Sequence, residues 1–235
     1  RAALAVLKRH RQGFVLVVEG GRIDHAHHEG NAHRALTDTV ALSEAVAVAM
    51  AETDPRDTLV VVTADHSHTL SFAGYPARGN PILGKVMGLS SEDSLPGLAR
   101  DATGLPYTTL MYANGPGYHG ASAQQPAGPK RHEHKASGYE MATTRPDLAN
   151  VDTTHPDYLQ ASAYPLASET HGGDDVGLWA SGPGAQGVRG TMEQNVIFHL
   201  MVQAQPALRA ELCRLSSCRG GEATGLPSRD RLRMT

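Results

Sequence analysis

Two short apolar runs, Phe14 to Val18 and Thr58 to Thr63, flank a long stretch of helical spacing, and this order limits the available architectures more than any other feature. The first run is continuous, the pattern of a strand buried on both faces. From Glu29 to about Glu52 the positions Ala32, Leu36, Val40 and Ala45 recur at helical spacing, until Asp54-Pro55 breaks the pattern. The second run is rich in valine and reads as another buried strand, ending at Ala64-Asp65-His66. Strand, helix, strand predicts an α/β fold with a parallel sheet. Before it, Leu4, Val6 and Leu7 predict a short helix that stops ahead of Gly13. After it, Thr108 to Tyr112 and Asp175 to Ala180 predict further strands. Thr191 predicts the start of a helix running to about Gln205, with Gln194 three residues on as a capping box.

The balance of charge narrows the partners. Lys and Arg number 21 against 24 Asp and Glu, so the chain carries no basic stripe for nucleic acid and no polybasic patch for an anionic membrane. A small polar substrate suits it better. With 235 residues and 40% hydrophobic composition it can bury a core of ordinary size. No run of about 18 apolar residues occurs, and Arg1 to Arg11 reads as an amphipathic helix rather than a secretory leader. Between roughly Ser90 and Ala163 the composition shifts to Gly, Pro, Ser, His and charge, most of all over His119 to Arg145, which reads as an insertion or loosely ordered surface loop. Arg219 to Thr235 is polar and predicts a disordered tail. Cys213 and Cys218 fit either a small loop disulfide in an oxidising compartment or two free thiols.

The histidines cluster. Of 13, five lie in two stretches, His25, His27 and His28, then His66 and His68. In open α/β sheets ligands bind beyond the carboxyl ends of strands, where Glu19 and Asp65-His66 fall. The run Glu19-Gly20-Gly21-Arg22-Ile23-Asp24-His25-Ala26-His27-His28 puts a carboxylate at a strand end, two glycines that let the backbone turn, and then Asp24 and His28. On a helix, residues four apart share a face, so these two can grip one ion, and an oxygen with an imidazole suits zinc. Thr63-Ala64-Asp65-His66-Ser67-His68 offers another adjacent carboxylate and imidazole, and Glu169-Thr170-His171-Gly172-Gly173-Asp174-Asp175 places a histidine just before a predicted strand. His25 and His27 read as supporting or solvated residues, and His132 and His134 as members of a solvated loop.

In this order the three stretches resemble the metal-site motifs of the alkaline phosphatases, in particular the animal tissue type. The likeness extends through Ser71-Phe72-Ala73-Gly74-Tyr75-Pro76, Asn114-Gly115-Pro116-Gly117-Tyr118 and the helix from Glu193 to His199, and covers Arg1 to about Cys218. The resemblance implies a three-layer α/β/α sandwich with a mostly parallel central sheet. Residues 1–75 would be a metal-binding core segment, 76–165 a crown-like insertion with loops, 166–212 a second core segment and 213–235 the tail. It implies that Asp24, His28 and His171 bind one Zn2+, that Asp65 and His66 supply part of a second Zn2+ site, and that Glu19 binds Mg2+. His68 would orient a ligand carboxylate, and Tyr75 would reach toward the site of a second subunit, which implies a homodimer. The activity implied is hydrolysis of small phosphate monoesters through a phosphoserine, outside the cell or on the outer face of the plasma membrane.

The departures from that pattern shape the expectation. The nucleophilic serine, the phosphate-binding arginine, a further aspartate and the remaining magnesium ligand belong to an upstream half of the family fold, so this chain alone is expected to be inactive. The cysteine pair is closer in sequence than the family's disulfide, Ser168 replaces an acidic residue near the site entrance, and the insertion around His119 to Arg145 is long. The tail has no hydrophobic stretch of the kind a lipid-anchor signal requires, so any membrane attachment is implied by the resemblance alone. Two alternatives stand beside the phosphomonoesterase: a non-catalytic zinc-binding fragment, and another hydrolase of the same superfamily, such as a phosphodiesterase or sulfatase.

Overall fold

A computed structural model describes residues 1–88, 97–142, 144–212 and 214; the cysteine pair and the rest of the tail lie outside the described residues. In chain order its elements are α1 (Ala2–Leu7), α2 (Arg22–His28), α3 (Ala32–Glu52), β1 (Val60–Val62), β2 (Ser67–His68), β3 (Leu70–Phe72), β4 (Leu110–Gly115), β5 (Ser162–Pro165), β6 (His171–Gly172), β7 (Trp179–Ser181), α4 (Asn195–Ala204) and α5 (Pro206–Leu212). The chain divides into two compact units.

The first unit comprises Arg1–Phe14, Ala45–Asp65 and the chain from Val176 onward. Its strands β1 and β7 pair antiparallel, with Val61 opposite Ala180. Leu4 of α1 and Leu200 and Val202 of α4 are buried, and Arg1 pairs with Glu52 at 2.7 Å. Pro206 opens α5, where a missing N–H costs nothing.

The second unit, Val15–Glu44 with His66–Asp175, holds most of the buried side chains and all of the candidate site except Asp65. Asn31, fully buried, caps α3: its Oδ1 accepts the N–H of Arg34 at 3.0 Å while its Nδ2 donates to the Pro156 carbonyl at 2.8 Å. The helix ends at Glu52 as expected but begins at Ala32 rather than Glu29, which caps α2; only Ala32 and Ala35 are buried, and Val40 is exposed. β4 is the centre of a three-stranded sheet, antiparallel to β3 and parallel to β5. β2 and β6 form a two-residue antiparallel ladder that sets His68 opposite His171.

Four expectations are corrected. Phe14 to Val18 forms no strand, and Val15 and Val17 are 68% and 84% exposed; an apolar run becomes a strand only where neighbours take its backbone hydrogen bonds, and no described residue pairs with it. Among the described residues the pairings are three antiparallel and one parallel, so the sheets are small and mixed rather than one mostly parallel sheet. The stretch from His119 to Arg145 is not a loose surface loop: Lys130, His134 and Ala136 are buried. Its order comes from isolated bridges, Ser122 with Tyr139 and Arg131 with Tyr158. Side chains stand in for ladder partners, as where Gln125 accepts from Arg131 N–H at 3.0 Å and donates to the Arg131 carbonyl at 2.6 Å. The capping box at Thr191 also fails, since no side chain caps α4.

Within this stretch His119 is largely buried, its Nε2 finds no partner among the described residues, and burial, reinforced by Arg145 and Lys130, lowers its pKa to about 4 from an ordinary 6.5. Below pH 6.5 the unfolded ring takes up a proton that the folded ring excludes, so stability is expected to rise with pH between about 4 and 6.5 and to level off above. His119→Gln removes this contribution. The melting temperatures at about pH 4.5 and about pH 7.5 are expected to differ less in the variant, by the equivalent of up to about 3 kcal/mol; an unchanged difference would mean that His119 is not held neutral.

Candidate metal centre

The glycine pair Gly20-Gly21 turns the chain into α2, and Ile23 and Leu42 close over Gly20, leaving its Cα 's place in the packing with little room for a side chain. Helical spacing then brings Asp24 and His28 to one face, with Asp24 Oδ1 3.4 Å from His28 Nε2. The β2–β6 ladder delivers His68 and His171. Asp24 Oδ1 lies 3.0 Å from His68 Nε2 and 3.5 Å from His171 Nε2, and His28 Nε2 lies 3.2 Å from His171 Nε2. One ligand atom from each of Asp24, His28, His68 and His171 falls within 4.8 Å of the others. His66 stacks on His171 at 3.5 Å between ring centroids, its Nε2 3.8 Å from Asp24 Oδ1.

Electrostatics favour the charged carboxylate. Burial would push the Asp24 carboxyl up, but the imidazoles of His28, His68 and His171 together hold it below its ordinary value. Two polar groups behind the cluster, His27 and Tyr112, are held neutral by burial. His27 stacks on His68 at 4.6 Å, and burial, with His68 adding to it, lowers its pKa to about 4. Its Nδ1 is 2.8 Å from the hydroxyl of Tyr112, a residue with no exposed surface whose pKa burial pushes far above the usual phenol range.

The ring tautomers suit a metal. The Nδ1 of His28 lies 2.5 Å from the Glu169 carbonyl, which can only accept, so Nδ1 carries the hydrogen and Nε2 keeps its lone pair toward the cluster. Zinc bonds of about 2.0–2.1 Å in tetrahedral array separate neighbouring donor atoms by about 3.3 Å. The edges among Asp24 Oδ1, His28 Nε2 and His171 Nε2, at 3.4, 3.5 and 3.2 Å, match that spacing.

Glu19 and Asp65, also expected as ligands, are not members of this four-residue group. Glu19 is exposed, its carboxylate folded beside Gly21. Asp65 is exposed and belongs to the first unit. His25 lines a separate cavity of about 620 Å³ with Arg22, Glu29, His33 and His132, where His132 Nδ1 is 3.3 Å from Glu29 Oε2. His134, read as solvated, is buried, its Nε2 3.3 Å from the Tyr139 hydroxyl. Tyr75 is 86% exposed. Sequence reasoning missed Glu169, Thr69 and Tyr112 as members of the support. Only Glu169 left a signal, as an acidic residue two places before His171.

These features define the class: an α/β protein with a cluster of one carboxylate and three imidazoles whose ligand atoms lie close enough together to hold a metal ion. A family model for alkaline phosphatase matches residues 1–207. The tissue-nonspecific isozyme of Gallus gallus is 44% identical over 202 residues, which are 86% of this chain and 33% of that protein. The tissue-nonspecific isozyme of Homo sapiens is 40% identical over 225 residues, 95% of this chain and 37% of the relative, and the alkaline phosphatase of Gadus morhua is 40% identical over 202 residues, 86% and 36%. The chain belongs to the alkaline phosphatase family, and it spans about a third of the length of these curated relatives. No helix among the described residues is long and apolar enough to cross a membrane.

The ladder that aligns His171 depends on Gly172, because a methyl group there would sit 2.4 Å from Ser67 Oγ, whereas one at Gly173 meets no heavy atom within 4 Å. Gly172→Ala is expected to lower stability by about 1–3 kcal/mol and to weaken zinc uptake, with Gly173→Ala close to the parent in both. Thermal melts and zinc titrations of the pair check this; similar behaviour of the two variants would count against the ladder as the alignment device.

Proposed function

We propose that this chain carries the metal centre of an alkaline phosphatase, a hydrolase of phosphate monoesters that works through a phosphoserine. The observation that carries the reading is the triangle of Asp24 Oδ1, His28 Nε2 and His171 Nε2, whose edges suit one tetrahedral zinc. In this reading those three residues hold one zinc, Asp65 and His66 contribute to a second, and Glu19 binds magnesium. When bound, the metals supply positive charge for the attacking and departing oxygens of an in-line displacement and lower the pKa of water. Within this chain, Asp24 supplies negative charge, His28 and His171 supply neutral donors, and His68 fixes the rotamer of Asp24. The serine nucleophile, the phosphate-binding arginine and the remaining ligands come from a segment outside these 235 residues.

The finer architecture follows the same reading. Residues 1–75 and 166–212 belong to a three-layer α/β/α sandwich, and 76–165 form a crown-like insertion. The exposed run Val15–Val18 is the segment that a neighbouring strand would cover. The exposed ring of Tyr75 is available to a second subunit in a homodimer. The enzyme acts outside the cell or on the outer face of the plasma membrane, held there by any lipid anchor rather than by a helix described here.

The test is hydrolysis by the intact protein, loaded with zinc and magnesium, of a phosphate monoester, a phosphate diester and a sulfate ester. The monoester is expected to be cleaved fastest. Asp24→Ala and Asp65→Asn are each expected to cost more than the roughly 10–100-fold that losing an outer-shell partner costs. A preference for the diester or the sulfate would move the chain to another branch of the superfamily. The 235-residue chain alone is expected to bind zinc without turnover; hydrolysis by it that Asp65→Asn abolishes would place a nucleophile inside these residues.

A further inference from the structure

Glu169 has an unusual share of the contacts around the centre. Its side chain has no exposed surface, yet it carries a carboxylate. Oε1 accepts from both the backbone N–H and the hydroxyl of Thr69 at 2.6 Å, and Oε2 accepts from His68 Nδ1 at 2.6 Å. Its backbone holds a second ring: the Glu169 N–H donates to the His28 carbonyl at 2.9 Å, and its own carbonyl accepts from His28 Nδ1 at 2.5 Å. Two residues later the chain delivers His171. Space for the side chain comes from Gly115, whose backbone has a φ of +133° that L side chains avoid and where an added methyl group would lie 3.0 Å from Glu169 Cβ.

On the reading of the metal centre given above, we infer that Glu169 is its positioning residue. Its carboxylate fixes the ring of His68, and through it the Asp24 carboxylate, while its backbone fixes the ring of His28. A histidine that donates its far N–H to a carboxylate or carbonyl has its tautomer and ring plane set, and such partners govern how tightly the metal is held. Here one residue supplies both kinds of acceptor, to two different rings, from a position enclosed by protein. A solvated acid in the same place would compete with water for His68. The buried one has no such competition, and its three side-chain hydrogen bonds leave it no other orientation.

Glu169→Gln keeps the shape and the acceptor for Thr69 but can present an NH2 group to His68 Nδ1, and Glu169→Ala removes every side-chain contact. In the intact protein, zinc half-saturation is expected to rise about 10–100-fold in the Ala variant and by a smaller but measurable factor in the Gln variant. The cobalt-substituted absorption bands should shift in both, and kcat for a phosphate monoester should fall more than KM rises. The melting temperature of the metal-free Gln variant should match the parent, which separates positioning from folding. Parent-like zinc affinity and cobalt bands in the Gln variant would overturn the inference, as would a metal-free melting temperature lowered as much as that of the loaded form. Asp24→Ala is the reference for the centre itself: if it leaves zinc binding unchanged, the proposed centre fails and not merely the role of Glu169.

Discussion

A carboxylate enclosed by protein must be satisfied in full or it destabilises the fold, and Glu169 is the place where this chain meets that demand. An ionised carboxyl only accepts hydrogen bonds, so its surroundings must supply donors. Thr69 gives two and His68 gives one. Because Thr69 and His68 are neighbours at the end of β2, meeting the demand fixes where that strand ends. Because Glu169 precedes β6, it also fixes how β6 lies beside β2, with His68 across from His171. The ladder is only two residues long and could not set its own register. The hydrogen bonds to the buried acid do that instead.

The helix α2 is tied to the same point by main chain. A seven-residue helix is too short to be stable alone, so its orientation has to come from tertiary contacts. Glu169 exchanges two bonds with His28 at the C-terminal end of α2, and Tyr112 of β4 reaches His27 one residue earlier. Between these contacts α2 has little freedom to rotate, and Asp24, one turn before His28, is carried to a defined place. The neutrality of His27, set by burial, matters here: a charged ring stacked on His68 would add repulsion to a cluster already crowded with imidazoles.

The parts of this arrangement that were legible in the sequence are those governed by local geometry. Asp24 and His28 share a helical face whatever surrounds them, and α3 ends where its spacing predicts. The gathering of His66, His68 and His171 was legible from the family resemblance, which put three separate stretches at one site. What could not be read were properties that depend on distant partners. Val15 to Val18 has the composition of a buried strand, but the composition does not state what pairs with it, and here those valines are exposed. The stretch rich in Gly, Pro and His looked solvated because it lacks a repeating apolar pattern. It is packed through side-chain hydrogen bonds that leave no such pattern, which is how His134 and Lys130 come to be buried. Glu169 was visible only as a member of its stretch, since an acid beside a threonine does not reveal that its carboxylate is enclosed.

The geometry at the centre also bears on what it can hold. With His28 Nδ1 committed to the Glu169 carbonyl, His28 Nε2 faces His171 Nε2 at 3.2 Å and the Asp24 oxygen at 3.4 Å as a lone pair. With both rings neutral, three electron-rich atoms at these distances repel one another unless positive charge lies among them. A proton on His171 Nε2 can bridge only one of the contacts at a time, leaving the others uncompensated. A divalent ion held by these three residues would satisfy them together, and the donor separations of 3.2 to 3.5 Å are close to those of a tetrahedral face. The protein's contribution is therefore the alignment: the buried acid and its neighbours hold the donors at a spacing that is unfavourable for an empty cluster and favourable for a cation.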